Sequence, residues 1–234
     1  MNLILLHEKD IINGDVEITG NKLRHIFSYI KPSVGDTLKT GILNGLMGEG
    51  IVTEINDQKL ALTLSMHDTP PPPLHLKLVL AMPRPKVLNR VIQHASAMGI
   101  KEIYIIKTWR VEKSYWESPM IEEENLHKQM ITGLEQGKDT ILPKINIRKR
   151  FKPFIEDELP SIIDRSMALV AHPAEQRQCP RDVNSPVTLA IGPEGGFIPY
   201  EIDALKNIGF KAVSLGERIL RVETALPFLI GRLF

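Results

Sequence analysis

Thr69 is followed by Pro70-Pro71-Pro72-Pro73, and four consecutive prolines admit neither a helix nor a central strand, because each fixes φ and removes a backbone donor. The run is a stiff, extended spacer. It divides a chain of 234 residues into an expected domain at 1–69, a linker at 70–73 and a second domain at 74–234. Before the prolines come short β-type runs at Asp15 to Thr19, Thr37 to Leu43, Gly50 to Ile55 and Leu60 to Ser65, separated by Gly, Asn and Asp. One helical stretch interrupts them, Asn21 to Ile30, with Leu23, Ile26, Phe27 and Ile30 at three-to-four spacing. The pattern predicts a small, mostly antiparallel β-barrel.

After the prolines the pattern changes to alternating strands and helices. Strands are expected at His75 to Ala81, Glu102 to Ile106, Ala168 to Ala171, Val187 to Ile191 and Ala212 to Leu215. Helices are expected at Val87 to Met98, Glu122 to Leu134, Ile155 to Ile163, Glu201 to Asn207 and Ala225 to Phe234. Such alternation means an α/β fold with a largely parallel sheet and helices on both faces. Ligands of open α/β sheets sit beyond the carboxyl ends of the strands. Three loops fall there: Ala171-His172-Pro173-Ala174-Glu175, Gly192 to Phe197, and Leu215 to Ala225.

Gly192, Gly195 and Gly196 let the backbone turn sharply where a strand ends and let a ligand approach its N–H and C=O groups. A tight strand-to-helix turn explains the same residues with no ligand at all, but three such loops converging on one place favour a site. The loop lacks the lysine and hydroxyl of a triphosphate-binding loop, and it is not the Gly-x-Gly-x-x-Gly of a dinucleotide fold. In the third loop Arg218, Arg221, Glu217 and Glu223 lie among Ile219, Leu220 and Val222. Helix-surface pairing would account for them; so would a buried loop whose charges face a pocket. Thr224 reads as the cap of the last helix, with Pro227 in its first turn.

Charge is nearly balanced, 29 basic against 28 acidic side chains, which excludes a chain acting as a whole as a polyanion binder. Residues 1–73 carry six Lys/Arg and nine Asp/Glu, so the excess of cations falls in the remainder. Leu74 to Arg90 and Lys144 to Lys152 are locally basic and suit phosphate contact. The single cysteine, Cys179, excludes an internal disulfide framework and fits a reducing compartment. The seven histidines have no ligand spacing, so no metal is expected, and no serine sits in a nucleophile elbow. The run Met1 to His7 is too short for a signal peptide, and no segment reaches the roughly 20 apolar residues of a membrane span. A cytoplasmic location, with no membrane partner, is expected.

The stretch Leu189 to Phe197, followed by Leu215-Gly216-x-Arg218-Ile219-Leu220-Arg221-x-Glu223-Thr224-Ala225, resembles the paired signature of the RsmE-type 16S ribosomal RNA (uracil-N3) methyltransferases of the SPOUT superfamily. Arg24-His25-Ile26 to Lys31 and Val34-Gly35-Asp36 resemble that family's small PUA-like barrel, and Val87 to Ile100 its first helix after the linker. The resemblance implies S-adenosylmethionine bound in a deep C-terminal trefoil knot, and a homodimer formed through the knot region. It implies cofactor contacts at His172, Pro173, Gly192, Glu194, Gly195, Gly196, Leu215, Gly216, Ile219, Leu220, Arg221, Thr224 and Ala225. Methyl transfer to uracil N3 needs in-line positioning, removal of the N3 proton and stabilisation of the anionic base. Arg221 is the candidate for orienting or stabilising the base, and Glu223 for handling the proton or orienting Arg221. Arg24, His25, Lys31, Arg84 and Lys86 are expected to bind the RNA backbone, in free 16S RNA or an assembled small subunit.

The chain departs from the family pattern at Met82-Pro83-Arg84-Pro85-Lys86, at His94-Ala95-Ser96-Ala97-Met98-Gly99 and at Glu135-Gln136-Gly137-Lys138-Asp139. None of these is in the cofactor loops. They leave two alternatives: a SPOUT methyltransferase with another RNA target, and a noncatalytic RNA-binding protein of ribosome assembly.

Overall fold

The computed structural model describes residues 2–173, 175 and 177–234. It divides into two compact units, residues 1–72 with 130–142, and residues 73–129 with 143–234. The first contains β1 (Ile4–Leu6), β2 (Ile11–Ile12), β3 (Asp15–Thr19), α1 (Gly20–Tyr29), β4 (Thr37–Ile42), β5 (Met47–Ile55) and β6 (Lys59–Asp68). They form one sheet in the order β1-β4-β5-β6-β3-β2, with β1 parallel to β4 and every other pair antiparallel.

Period-2 alternation builds this core. Val16 and Ile18 of β3 and Leu60 and Leu62 of β6 point inward and are buried, while their neighbours face outward. Leu23 and Ile26, three apart on α1, bury against the same cluster. Each such side chain contributes about 1.5–3 kcal/mol by leaving water. The apolar run at the start of the chain is the strand β1, which the sequence pattern does not predict. Its alternate side chains Leu3 and Leu5 pack with Leu134, far along the chain. Backbone and side-chain bonds complete that closure: Thr140 Oγ1 donates to Gly45 O at 2.6 Å, and Leu142 N donates to Asn44 Oδ1 at 2.9 Å. Lys22 donates to Leu5 O and lies 3.9 Å from Glu135. Burial pushes the Lys22 amine down and the Glu135 carboxyl up, each opposed by the other's charge.

The second unit contains β7 (Leu76–Ala81), α2 (Pro85–Ala97), β8 (Glu102–Ile106), β9 (Lys144–Arg148), α4 (Phe151–Pro153), α5 (Leu159–Ile163), β10 (Met167–Ala171), β11 (Val187–Ile191), α6 (Pro199–Asn207), β12 (Lys211–Val213) and α7 (Val222–Leu233). The intervening helix α3 (Glu123–Gly137) divides between the two units. The six strands run in the order β12-β10-β11-β7-β8-β9, and every pairing is parallel. This is the expected α/β class. Strands buried on both faces read as continuous apolar runs, as Val187–Ile191 does. On one face Val79, Ala81, Tyr104 and Val170 pack with Phe154, Ile155 and Leu159 and with Ile202 and Leu205 of α6. The opposite-facing Leu78, Leu80, Ile103, Ile105 and Leu189 are equally buried.

Several boundaries differ from the sequence expectation. The basic stretch Lys144 to Lys152 contains a strand that the sequence pattern does not predict: its first five residues are β9, paired to β8, and Arg148 is bonded to Glu158 at 2.7 Å. Its alternation of Lys, Ile, Asn, Ile and Arg is the period-two pattern of a strand, in a stretch singled out for its charge. The predicted helix at Ile155 to Ile163 is a π turn, Phe154–Glu158, running into α5. The strand expected at Ala212 to Leu215 ends at Val213, and the last helix starts at Val222 rather than Ala225. Arg221, with φ −68 and ψ 154, is therefore the cap residue, and Thr224 lies inside the first turn.

The segment at 177–183 is clamped from two sides. Cys179 N donates to Ser214 O at 2.9 Å, Cys179 O accepts from Arg232 Nε at 2.7 Å, and Val183 N donates to Leu233 O at 2.6 Å. Cys179 is 1% exposed, and burial pushes its thiol up against the opposing effect of Arg232. The thiolate is the reactive form, so Cys179 is expected to resist a disulfide reagent at pH 8 in the native protein and to react promptly in denaturant. Native labelling at the unfolded rate contradicts this burial. In the first unit, a Cβ on Gly48 would collide with the Ser65 carbonyl oxygen and stand 2.9 Å from Met66 Cα. Gly48→Ala is expected to cost about 1–3 kcal/mol, the range for overpacking, read from the midpoint of chemical unfolding.

Candidate functional site

Parallel register sets the site. Ala171 of β10 pairs with Ile191 of β11 on one side and with Val213 of β12 on the other, so the three strands stop at one level. Their loops leave together. His172 N donates to Val213 O at 2.9 Å, and Ser214 N donates to Arg177 O at 2.8 Å, tying the first loop to the third. In the second loop Gly196 N donates to Pro193 O at 2.8 Å, closing a turn. Phe197, 4% exposed, anchors that turn in the core.

Two glycines have a backbone reason to be glycine. Gly196 has φ +71 and Gly216 φ +116, and a Cβ at either would meet nothing within 4 Å. They face open space that a side chain would occupy. Gly192 is tight instead: its Cβ would come 3.1 Å from Phe197 N.

The three loops enclose a cavity of about 220 Å³. Of the residues expected to touch a cofactor, His172, Pro173, Gly192, Glu194, Gly195, Gly196, Leu215, Gly216, Ile219, Leu220 and Ala225 line it. Arg221 and Thr224 are exposed and are not in the lining. Ala174, within the first loop, lies outside the described residues. Ser214 and Arg218 line the cavity as well, although the sequence reading did not place them in a cofactor site. The wall is mostly backbone and aliphatic carbon, suited to a planar or apolar ligand read by amide groups rather than to a polyphosphate.

Glu223 sits in the first turn of α7 with its side chain 12% exposed. Its Oε1 is 3.7 Å from Arg90 NH1 on α2, the helix packed against α7, and its buried Oε2 has no hydrogen-bond partner among the described residues. Its charged neighbour is thus Arg90. Two further groups brace the glycine turn. Arg110 donates to Gly195 O, and Arg84 N donates to Glu194 Oε1 at 3.0 Å. Arg110 follows β8 with no glycine or motif beside it, so only the fold brings it to the turn.

The remaining expected residues are at the surface of their own units. In the first unit Arg24 bonds to Asn21, His25 stacks 4.7 Å from the exposed Tyr29, and Lys31 is in the left-handed region at φ 49. In the second, Arg84 and Lys86 are exposed at the start of α2. No group of three or more metal-ligating side chains occurs among the described residues.

The family model described as an RNA methyltransferase domain matches residues 70–233. The chain is 30% identical to ribosomal RNA small subunit methyltransferase E of Treponema pallidum, over 96% of this chain and 87% of that protein. It is 28% identical to methyltransferase E 1 of Borreliella burgdorferi, over 96% and 94%. A solved structure of methyltransferase E from Neisseria gonorrhoeae, bound to S-adenosyl methionine, superposes with a TM-score of 0.74 at 20% identity, over 98% of this chain and 95% of that one. A domain match across two thirds of the sequence, together with near-full-length relatives, establishes that this chain belongs to the RNA methyltransferase family.

Proposed function

We propose that the protein transfers a methyl group from S-adenosylmethionine to N3 of a uridine in 16S ribosomal RNA of the small subunit. The observation that carries the reading is the backbone-lined cavity where β10, β11 and β12 end together. Its residues fit the donor. Gly196 and Gly216 carry no side chain toward the open space, so adenine and ribose can approach the backbone there, and Ile191, Leu215, Leu220 and Ala225 offer an apolar wall to the ring. When bound, S-adenosylmethionine supplies the methyl group as a sulfonium. The relatives' names supply the ribosomal substrate, and the family resemblance supplies N3.

The chain's own groups then have three tasks: to orient the base, to receive the N3 proton and to keep the acceptor in line. Arg221, exposed at the mouth of the third loop where α7 begins, orients the base and stabilises its developing negative charge. Glu223 carries an unpartnered, buried oxygen in the first turn of the same helix, and Arg90 beside it holds the carboxylate in place. It handles the proton or positions the loop. The clamp of residues 177–183 by α7 supports a trefoil knot, and the first unit's sheet supports a PUA-like RNA-binding barrel. RNA backbone contacts fall to Arg24, His25 and Lys31 there, and to Arg84 and Lys86 at α2. A homodimer formed through the knot region and a cytoplasmic location complete the reading. No helix among the described residues is long and apolar enough to cross a membrane.

Titration calorimetry is expected to show one S-adenosylmethionine site per chain, and a folded protein that binds none at high micromolar donor rules the reading out. Gly216→Val places a β-branched side chain at φ +116 on the cavity wall and is expected to weaken donor binding about tenfold or more, about 1.4 kcal/mol, with circular dichroism unchanged. Arg221→Ala is expected to lower methyl transfer by about 10² or more, the range for losing one charge-stabilising donor, while donor affinity stays within twofold. Undiminished turnover in that variant rejects the role. Nucleoside analysis of ribosomal RNA from cells lacking the gene decides the target: N3-methyluridine of the small subunit disappears if the assignment is right.

A further inference from the structure

A second cleft, of about 500 Å³, opens in the same unit where β8 and β9 end. Ile106 of β8 pairs with Arg148 of β9, so the segments that follow, 107–113 and 149–152, leave the sheet side by side. Each brings lysines to the cleft, Lys107 and Lys113 from the first and Lys149 and Lys152 from the second. Aromatic rings stand among them. Trp109 is 81% exposed and Tyr200, in the first turn of α6, is 54% exposed, with the Phe151 ring 6.5 Å from that of Tyr200. A single exposed ring is ordinary, but neighbouring rings rimmed by charged side chains mark a surface that binds something.

The platform is braced from beneath. Glu201, 2% exposed, accepts from Trp109 N at 2.7 Å with one carboxylate oxygen and from Ile198 N at 3.0 Å with the other. Its charge is taken up by those two amides, so it fixes the backbone carrying Trp109 to the start of α6. Lys152 lies 3.8 Å from Glu156, and both are well exposed. Thr108, 3% exposed, lines the cleft and has a buried hydroxyl with no hydrogen-bond partner among the described residues. A lining with flat rings, four cations and a spare hydroxyl matches unpaired nucleotides. Bases stack on the aromatics, phosphates meet the ammonium groups, and a base edge or a ribose hydroxyl finds Thr108. An acidic peptide would use the lysines but has no need of three flat rings.

The cleft and the donor cavity flank the same glycine turn. Gly195 lines the donor cavity and is held by Arg110, next to Trp109, while Ile198 and Tyr200 beyond the turn line the second cleft. We infer that Trp109, Tyr200 and Phe151, with Lys107, Lys113, Lys149 and Lys152, form a stacking groove for unpaired RNA nucleotides that flank the methylated base. This rests on the proposal that the protein methylates ribosomal RNA. The groove selects which strand reaches the donor and takes no part in the methyl transfer.

The test uses the full chain, a fluorescein-labelled ten-nucleotide single-stranded RNA read by anisotropy, and S-adenosylmethionine titrated separately by calorimetry. Trp109→Ala and Tyr200→Ala are each expected to weaken RNA binding about 5- to 100-fold, as the loss of one stacked base does, with donor affinity unchanged. Trp109→Phe keeps a flat ring and is expected to restore most of the binding. Lys149→Ala is expected to lower the slope of log affinity against log salt by about 1. Wild-type RNA affinity in Trp109→Ala overturns the groove, as does equal weakening toward polyphosphate, which has no bases. A changed sedimentation coefficient with unchanged RNA affinity also overturns it, assigning the face to a second copy. The donor titration separates the two proposals: a wild-type chain that binds no S-adenosylmethionine defeats the proposed function, whereas one that binds it and tolerates Trp109→Ala defeats the groove alone.

Discussion

Everything at the candidate site depends on in-register parallel pairing of three strands. Because β10 lies between β11 and β12, and Ala171 meets Ile191 and Val213 at one level, three loops distant in sequence emerge as neighbours. A parallel ladder cannot be closed by short hairpins, so each connection returns along the faces of the sheet. That return carries the segment 177–183 from β10 toward β11 under the last turn of α7. The pocket wall and the clamp on the final helix are consequences of one pairing pattern.

The same pattern explains why the site is built from backbone. Where parallel strands end together, their terminal amides and carbonyls converge, and glycine at Gly196 and Gly216 keeps them uncovered. Glu194 and Arg218 are the charged residues in that lining, and the two charged side chains at the start of α7 stand outside it. Arg221 is exposed, and Glu223 is turned toward Arg90. A binding surface that reads shape and amide groups lies beside a helix start that carries ionised side chains.

Much of this was legible in the sequence. The switch at the prolines from β-type runs to strand–helix alternation corresponds to two separate sheets, and the apolar runs at 76–81, 102–106 and 187–191 are strands. The glycine turns stood out because strand ends with no side chains are rare without cause. What escaped has a common physical origin. β9 does alternate Ile145 and Ile147 with polar residues, but it is five residues long, lies at the edge of its sheet and sits in a stretch that stands out by its charge. β1 is three residues long, too short for a pattern. The start of α7 was placed too late because Thr224 is a good cap in isolation, whereas packing of Val222 and Leu226 draws Arg221 into that position. Local preference lost to burial.

The residues alone determined the class of each sheet, the loops that carry the site and the absence of a phosphate-binding signature, since these follow from periodicity, glycine placement and side-chain chemistry that neighbours in sequence share. Tertiary structure alone decided that Leu134 seals the sheet of the first unit, that Arg90 pairs with Glu223, that Arg110 braces Gly195, and that Trp109 and Tyr200 share one cleft with four lysines. Each of these joins residues tens of positions apart. Such contacts exist only once strand order and register are set, and no local propensity encodes them.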